Sequence, residues 1–238
     1  MAESDFKAFC VAVCVSADHK EDICAQMADA KKADLVEYRA DLSKLPFEKA
    51  IKIFHAEGIK VLYTFRTRPE GGKGDEREYR QRVLSAIEAG ADAVDLEIRR
   101  CAESPVILAE AKKRGVLTVG SAHFFSGMPD AAFLVRLYRE MAALGCDVAK
   151  IAAMAQTPED VETLRSASDR AGAFPKIVLA MGACGTITRI TPEAFDGIMT
   201  FVSGKSASAP GQMDLKTLIR SRKTVKMKNK VEKNLEIL

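Results

Sequence analysis

The chain has 238 residues, which is long for an ordinary domain but typical of an α/β barrel, because such barrels commonly take roughly 200 to 250 residues as one domain. Its 36 basic and 33 acidic residues give a formal net charge of only +3, which excludes the strong basic surface expected of a nucleic-acid or membrane-surface protein. The N-terminal residues are charged and polar, and no apolar run approaches the roughly 20 residues that span a bilayer. We therefore expect a cytoplasmic protein with a small-molecule partner, no membrane segment and no nucleic-acid partner.

Cysteine and histidine give no indication of a metal site. The six cysteines are scattered without a CxxC pair, as expected for small buried hydrophobes rather than disulfides or metal ligands. The three histidines, His19, His55 and His123, show no metal-site spacing to one another. We expect neither a metal nor a cofactor.

The first half of the chain alternates short apolar runs with amphipathic stretches. The helix over residues 75–90 has the clearest pattern, because Tyr79, Val83 and Ile87 fall on one face while Glu78 and Arg82 pair outside it. We predict, in chain order, a strand at 9–15, a helix at 21–33, a strand at 34–39, a helix at 47–58, a strand at 60–66, a helix at 75–90 and a strand at 93–97.

The second half repeats this alternation. Thr157 followed by Pro158 and two acidic residues is a typical helix start. The predicted elements are a helix at 104–115, a strand at 116–123, a helix at 133–144, a strand at 145–154, a helix from Thr157, a strand at 176–181, a short helix from Thr191, a strand at 197–202 and a helix at 213–221.

Eight strands alternating with eight helices predict a single (β/α)8 TIM barrel over residues 1–221. The rival fold is an open doubly wound sheet, which often has a glycine-rich first turn, and Val15-Ser16-Ala17 contains no glycine. Residues 222–238 are lysine-rich with sparse apolar positions. We expect them to form a basic C-terminal extension, either helical or disordered.

Lys150 lies inside the apolar strand predicted at 145–154. On its own, a strand lysine most often reaches water at an edge or by extending its stem along the surface. A barrel changes this interpretation, because its active site lies at the carboxyl ends of the strands. Several buried charges at one end of a barrel are costly without a ligand, which favours a binding site. The alternatives are that the charges form buried ion pairs, that the arginines lie on the surface, or that the histidine is a core residue. The polar residues predicted at these ends are Glu37, Arg39, Arg66, Glu70, Asp95, Glu97, His123, Lys150, Arg189, Ser208 and Gln212.

Lysine and histidine together indicate Schiff-base chemistry. A neutral Lys150 amine can attack a ketone, and the protonated Schiff base that results acidifies the adjacent C–H. His123 has an imidazole that titrates near about pH 6.5 when unperturbed, so it can act as a base and afterwards as an acid. The arginines offer a bidentate fork to a carboxylate. The implied substrate is an anionic keto compound.

Seven short motifs contain these residues in order. They are Glu37-Tyr-Arg39-Ala-Asp41, Thr64-Phe-Arg66 with Glu70-Gly-Gly72, Val94-Asp-Leu-Glu97, Ser121-Ala-His123, Asp147-Val-Ala-Lys150, Gly185 to Arg189, and Ser206 to Gln212. Each is weak alone, but together, from about residue 13 to residue 212, they resemble the type I 3-dehydroquinate dehydratases. These are Schiff-base enzymes of the shikimate pathway in aromatic amino acid biosynthesis.

The resemblance implies roles for individual residues. Lys150 would form the imine with the C3 ketone of 3-dehydroquinate, and His123 would remove a C2 proton and assist loss of the C1 hydroxyl, giving 3-dehydroshikimate. Glu70 would position His123, and Arg189 would hold the substrate carboxylate. The resemblance gives ring-hydroxyl or lid contacts to Glu37, Arg39, Arg66, Ser208 and Gln212, and lesser pocket-lining positions to Ser16, Met181 and Phe201.

The chain departs from the family pattern at one position, and its residues also fit other functions. The family usually has aspartate where this chain has Phe124, and homodimers are common in it, so a homodimer is expected. The alternative function is another class I lysine Schiff-base aldolase or lyase acting on an anionic keto sugar, which predicts a phosphate-binding glycine loop near Gly182 to Gly185. A non-enzymatic scaffold with the same fold is a further alternative, but it would have lost the key groups, and the principal ones are present here. The basic C-terminal residues also permit weak nucleic-acid binding, and a steep salt dependence of DNA binding would support that function.

Overall fold

The computed structural model of the chain describes residues 9–100, 104–205 and 207–235, with side chains up to residue 225. All eight predicted strands are present, and two of them, Ala93–Glu97 and Lys176–Met181, have the predicted bounds. The strands are β1 Cys10–Val15, β2 Leu35–Arg39, β3 Val61–Thr64, β4 Ala93–Glu97, β5 Leu117–Phe124, β6 Val148–Met154, β7 Lys176–Met181 and β8 Met199–Ser203.

The strands form one parallel sheet in the order β7-β6-β5-β4-β3-β2-β1-β8. The two ends of this order meet, because Ile198 before β8 donates its backbone N–H to the carbonyl of Lys176 in β7 at 2.8 Å. The sheet therefore curls into a nearly closed barrel, with a helix on the outside after each strand. The predicted (β/α)8 TIM barrel is confirmed, and the open doubly wound sheet is excluded.

The helices differ from the prediction in two places. The helix expected from Thr191 is a 3-10 turn, Pro192–Phe195, and the helix after β7 comes earlier, at Thr186–Ile190. That helix has only five residues, too few to show a period in the sequence. The helices are α1 Lys20–Ala30, α2 Phe47–Ala56, α3 Tyr79–Glu88, α4 Ser104–Arg114, α5 Ala131–Ala143, α6 Pro158–Ala171, α7 Thr186–Ile190 and α8 Leu215–Leu235.

The last helix, α8, continues through the boundary expected after residue 221. Arg222 pairs with Glu193 at 2.8 Å, and its guanidinium lies 3.9 Å from the centroid of the Phe9 ring. Packing against the barrel therefore reaches into the expected basic extension. None of the helices in the described part of the chain is long and apolar enough to cross a membrane.

Strand alternation decides which β6 side chains enter the barrel. Ala149 and Ile151 pack in the outer core against the helices, whereas Val148 and Ala152 pack with inward-facing residues of other strands. Lys150 has the same parity as Val148 and Ala152, so its side chain points into the barrel. It is 4 % exposed, which rules out the interpretation as a strand lysine that reaches water.

Candidate active site

One cavity lies at the carboxyl ends of the strands, and it contains all but one of the residues predicted to carry catalysis or binding. Ser16 is the exception, because it is not among the lining residues, and Cys14, two positions earlier on β1, lines the cavity instead. The other lining residues that sequence reasoning did not assign to the site are Gly71, Phe125, Ala152, Leu179 and Ala209. The predicted residues in the lining are Glu37, Arg39, Arg66, Glu70, His123, Lys150, Met181, Arg189, Phe201, Ser208 and Gln212.

The Lys150 amine is held between carboxylates and an aromatic ring. Its Nζ lies 3.2 Å from Asp95 Oδ2 and 3.9 Å from Glu37 Oε1. It is also 4.3 Å from the centroid of the Phe201 ring. These contacts fix the position of Nζ, and the small side chain of Ala152 on the same strand face leaves space beside it. The amine therefore faces the cavity as a nucleophile would.

His123 is oriented by Glu70. Glu70 Oε2 is 2.8 Å from His123 Nδ1, and the same oxygen accepts the backbone N–H of His123 at 3.0 Å. With Nδ1 engaged in this way, Nε2 is the ring nitrogen left for a ligand in the cavity. Burial, together with the charges of Arg66 and Lys150, lowers the pKa of His123 well below its usual value. The imidazole is therefore neutral at neutral pH and suited to accept a proton.

Glu70 is itself perturbed. Burial raises the pKa of Glu70 to about 7, against the opposing charges of Arg66 and Arg99. The carboxylate sits at the end of the 3-10 turn Arg68–Glu70, which follows β3. An ionised Glu70 accepts the proton on His123 Nδ1 and so leaves the Nε2 lone pair free.

Arg66 joins the carboxylates beneath the cavity. Its two terminal nitrogens lie 2.7 Å from Asp95 Oδ2 and 3.2 Å from Glu97 Oε1. It also donates to Ser121 Oγ at 3.0 Å. Although burial raises the pKa of Asp95, the charges of Arg66 and Lys150 bring it below its ordinary value. Asp95 and Glu97 thus form buried ion pairs with Arg66, and Asp95 also contacts the candidate nucleophile.

Glu37 and Arg39 lie on the same strand, but no ion pair joins them among the described residues. Arg39 makes a bidentate contact with Asp41, with both N···O distances at 2.8 Å. Glu37 accepts hydrogen bonds from Cys14 Sγ at 2.7 Å and Thr64 Oγ1 at 3.0 Å. Glu37 therefore keeps its carboxylate in the cavity, within reach of both Lys150 and a bound hydroxyl group.

Arg189 carries a buried charge with little compensation. It is 2 % exposed, and its one hydrogen bond within the described residues runs from a terminal nitrogen to the Pro210 carbonyl at 3.4 Å. Its Nε has no partner there, and no carboxylate of the described residues lies within 4.0 Å of it. Burial lowers the pKa of Arg189. An unpaired guanidinium in a cavity is a site for an anionic ligand.

The segment after β8 lines part of the cavity through Ser208 and Gln212, and Gln212 joins this segment to β1. Ser208 donates to Gln212 Oε1 from its backbone N–H at 2.6 Å and from its hydroxyl at 3.1 Å. Gln212 Nε2 in turn donates to Cys14 Sγ at 3.1 Å. Gly211 has a φ of +76°, a conformation that favours glycine, and a Cβ at this position would lie 2.6 Å from the Gly182 carbonyl oxygen. The segment is therefore packed directly against the loop after β7.

Residues 10–229 match the model of the family described as type I 3-dehydroquinase. The chain belongs to this family. A curated 3-dehydroquinate dehydratase of Clostridium kluyveri is 34% identical over 233 residues, which cover 90% of this chain and 91% of the relative. One of Geobacillus kaustophilus is 32% identical over 216 residues, covering 84% and 82%.

Solved structures of type I 3-dehydroquinases have the same fold. The crystal structure of the 3-dehydroquinate dehydratase of Geobacillus kaustophilus superposes with a TM-score of 0.82 at 29% identity, over 92% of this chain and 91% of that one. The Clostridium difficile type I enzyme, solved with covalently modified comenic acid, gives a TM-score of 0.81 at 28% identity, over 92% of each chain.

Cys14 hydrogen-bonds to Glu37 and Gln212 in this cavity, and sequence reasoning missed it, since Ser16 was assigned to the pocket instead. Strand register supplies the missing information, because Cys14 pairs with Glu37 across β1 and β2. Ser16 lies beyond the end of β1, and its carbonyl accepts a hydrogen bond from Gln26 at 3.0 Å. Ser16 had been assigned to the pocket by the family resemblance alone.

Proposed function

We propose that this member of the type I 3-dehydroquinase family is a hydro-lyase that converts 3-dehydroquinate to 3-dehydroshikimate through a Schiff base on Lys150. The observation that carries the proposal is the meeting, in one cavity, of a buried lysine, a histidine bound to a carboxylate, and an arginine without an ion-pair partner among the described residues. The activity is that of the relatives named above, two of which share 32% and 34% of their residues with this chain.

The first step of the proposed reaction belongs to Lys150. The amine, after giving up one proton, attacks the C3 ketone, and that proton is returned as the carbinolamine loses the ketone oxygen as water to give a protonated imine. Asp95, 3.2 Å from Nζ, lies where it can stabilise the positive charge of the iminium nitrogen. The iminium withdraws electrons from C2, so the C2–H bond becomes acidic.

His123 is the proposed acid and base of the second step. Its Nε2 removes a proton from C2, and the electron pair moves towards the iminium to give an enamine. The same imidazole, now protonated, donates to the C1 hydroxyl, which leaves as water as the ring double bond forms. Glu70 holds the ring in place and stabilises the transient imidazolium through Nδ1. Hydrolysis of the imine then releases 3-dehydroshikimate and restores Lys150.

Substrate binding uses the remaining lining residues. The buried guanidinium of Arg189 is the proposed partner of the substrate carboxylate, because an anion removes the cost of its unpaired charge. Glu37 and Gln212 supply acceptors and donors for ring hydroxyls, while Phe201 and Met181 provide apolar contact to the ring. Ser208 reaches the ligand from the segment after β8, and Arg39 and Arg66 complete the polar wall.

The glycines after β7 do not need a phosphate to explain them. A Cβ on Gly185 would lie 2.2 Å from the Ala180 carbonyl, and one on Gly182 would lie 3.1 Å from the Ala155 carbonyl. Both positions are thus explained by close backbone approach. This weakens the alternative of a class I aldolase that acts on a sugar phosphate, which depended on a phosphate loop at this place.

Formation of a conjugated enone tests the function. Purified protein mixed with 3-dehydroquinate should give rising ultraviolet absorbance, and Lys150→Ala should give none. Lys60→Ala, which alters an exposed lysine just before β3, is the matched control and should keep wild-type activity. Equal turnover in wild type and Lys150→Ala would contradict the proposed mechanism.

We also propose that the protein is a cytoplasmic homodimer, and that the barrel alone carries catalysis while the basic C-terminal residues form an extension to it. Light scattering after size-exclusion chromatography tests the dimer, and fractionation of the source cells tests the location. Removal of residues 226–238 tests the extension and should leave kcat and KM unchanged. A monomer with full activity would contradict the first of these proposals.

A further inference from the structure

Glu70 binds His123 through only one of its two oxygens. Oε2 accepts from His123 at both contacts, at 2.8 Å and 3.0 Å, whereas Oε1 is buried without a hydrogen-bond partner in the described part of the chain. A buried carboxylate with an unsatisfied oxygen is costly to ionise. Whether Glu70 carries its charge therefore depends on the cations around it.

Two arginines approach Glu70, and only one of them has its charge available. Arg66 lies 4.0 Å from Oε2, but it pairs more closely with Asp95 at 2.7 Å and Glu97 at 3.2 Å. The Nε of Arg99 lies 3.4 Å from Oε1 of Glu70. No other carboxylate among the described residues is within 4.0 Å of Arg99. Among the described residues, Arg99 therefore shares its charge with no carboxylate other than Glu70.

The position of Arg99 is set by an aromatic residue next to the histidine. Arg99 lies in the 3-10 turn Ile98–Arg100 after β4, and its guanidinium is 5.4 Å from the centroid of the Phe124 ring. Phe124 directly follows His123 on β5 and packs edge to face on Phe133 of α5, with ring centroids 5.9 Å apart. Cation–π contact on a packed ring restricts a long side chain that is otherwise half exposed. The aromatic pair therefore fixes the arginine beside Glu70.

We propose that Arg99, seated on Phe124, is a positioning residue that neutralises Glu70 at its second oxygen and so keeps His123 fixed through its Nδ1. Arg99 does not line the cavity and acts through Glu70 alone. The inference rests on the proposed roles of Glu70 and His123 as the orienting carboxylate and the base. It gives Phe124 a function of its own.

The direction of the effect follows from the charges that face Glu70. Burial raises the pKa of Glu70 to about 7, Arg66 and Arg99 lower it, and Glu97 and Asp95 raise it. The other group in contact is His123, which is neutral at neutral pH because burial lowers its pKa. Loss of the Arg99 charge should therefore protonate Glu70 at higher pH. Because Arg99 is half exposed and its charge is screened, we expect the acid limb of kcat to move upward by about half to one pH unit.

The test is the pH profile of kcat for wild type, Arg99→Gln and Arg99→Lys. Arg99→Gln should shift the acid limb upward, and Arg99→Lys, which keeps the charge, should restore most of the wild-type position. Arg136→Gln is the matched control, because Arg136 is exposed and lies over Phe133 at 5.5 Å without a contact to Glu70. A uniform loss of kcat at every pH in Arg99→Gln would overturn the inference, since that result indicates only a structural role.

Two further variants separate this inference from the proposed function. Glu70→Gln should lose most activity, and the acid limb of its kcat profile should largely disappear. If it does so while Arg99→Gln keeps the wild-type acid limb, the inference about Arg99 fails and the proposed function stands. If Glu70→Gln keeps full activity, the proposed role of Glu70 fails as well. Phe124→Leu, which removes the ring and keeps the arginine, should shift the limb in the same direction by less. Nitrogen-labelled histidine provides a direct readout, because the chain has only three histidines and the His123 titration should move in Arg99→Gln and not in Arg136→Gln.

Discussion

Replacing Arg189 with methionine should make the ligand-free protein more stable and the enzyme much worse. The guanidinium is 2 % exposed, and its Nε has no hydrogen-bond partner among the described residues. A buried unsatisfied donor costs about 1–3 kcal/mol, and more when it is charged. Methionine fills a similar length of space without a charge. We therefore expect the free energy of unfolding of Arg189→Met to exceed that of wild type by about 1–3 kcal/mol.

Thermal unfolding without ligand measures this gain. For a chain of this size, each kcal/mol corresponds to a rise in Tm of roughly 2–4 °C. The same substitution removes the proposed partner of the substrate carboxylate, and breaking a buried charge pair costs about 3–5 kcal/mol. The expected fall in kcat/KM is therefore on the order of a hundred-fold to several thousand-fold, seen mainly as a higher KM.

Arg66→Met is the control that separates the two kinds of buried arginine. Arg66 pairs with Asp95 and Glu97, so its loss leaves Glu97 without an ion-pair partner among the described residues and leaves Asp95 with Lys150 alone. We expect that variant to lose about 3–5 kcal/mol of stability. If Arg189→Met is destabilised to the same extent, or keeps the wild-type KM, then Arg189 is not an uncompensated cation that awaits an anion.

Three other predictions concern the base and its surroundings. His123→Ala should still form the imine with 3-dehydroquinate, trapped as an adduct by mass spectrometry, but should not release product; full turnover would remove His123 from its role. The pKa of Glu70 is raised from its usual 4.5 to about 7 in the folded protein, so the wild type should lose stability as pH rises between these values. The free energy of unfolding of Glu70→Gln, measured in urea, should therefore increase relative to that of the wild type over this range. An unchanged difference would show that Glu70 ionises normally. Cys14→Ser keeps a donor to Glu37 and an acceptor for Gln212, so its kcat/KM should stay within a few fold of the wild-type value. Cys14→Val loses both contacts, and its kcat/KM should fall about ten-fold. Equal activity in the two variants would assign no role to these hydrogen bonds.

The succession of strands and the grouping of polar residues in one cavity were predictable because they depend on local patterns. Apolar runs with polar carboxyl ends located every strand, and the rule that barrel sites lie at those ends collected Lys150 and His123 in one cavity. The parity of β6 placed Lys150 inside the barrel with Ala152. These inferences need only the period of a strand and the direction of the chain.

What the sequence did not predict depends on register and on packing between strands. Cys14 was missed in favour of Ser16, because the pairing of β1 with β2 decides which residue lies beside Glu37. Arg39 was open to pairing with Glu37, whereas it binds Asp41 in the turn that follows its own strand. The helix after β7 was predicted from Thr191 and not at its actual position, Thr186–Ile190, because five residues carry no visible period.

Trapping the imine on Lys150 tests the central claim most directly. Borohydride added to the protein with 3-dehydroquinate should reduce the Schiff base to a stable amine, and mass spectrometry of the digested protein should place the adduct on Lys150. Lys150→Ala should form no adduct and show no turnover, while Lys60→Ala should be labelled as the wild type is. An unmodified Lys150 under turnover conditions would contradict it.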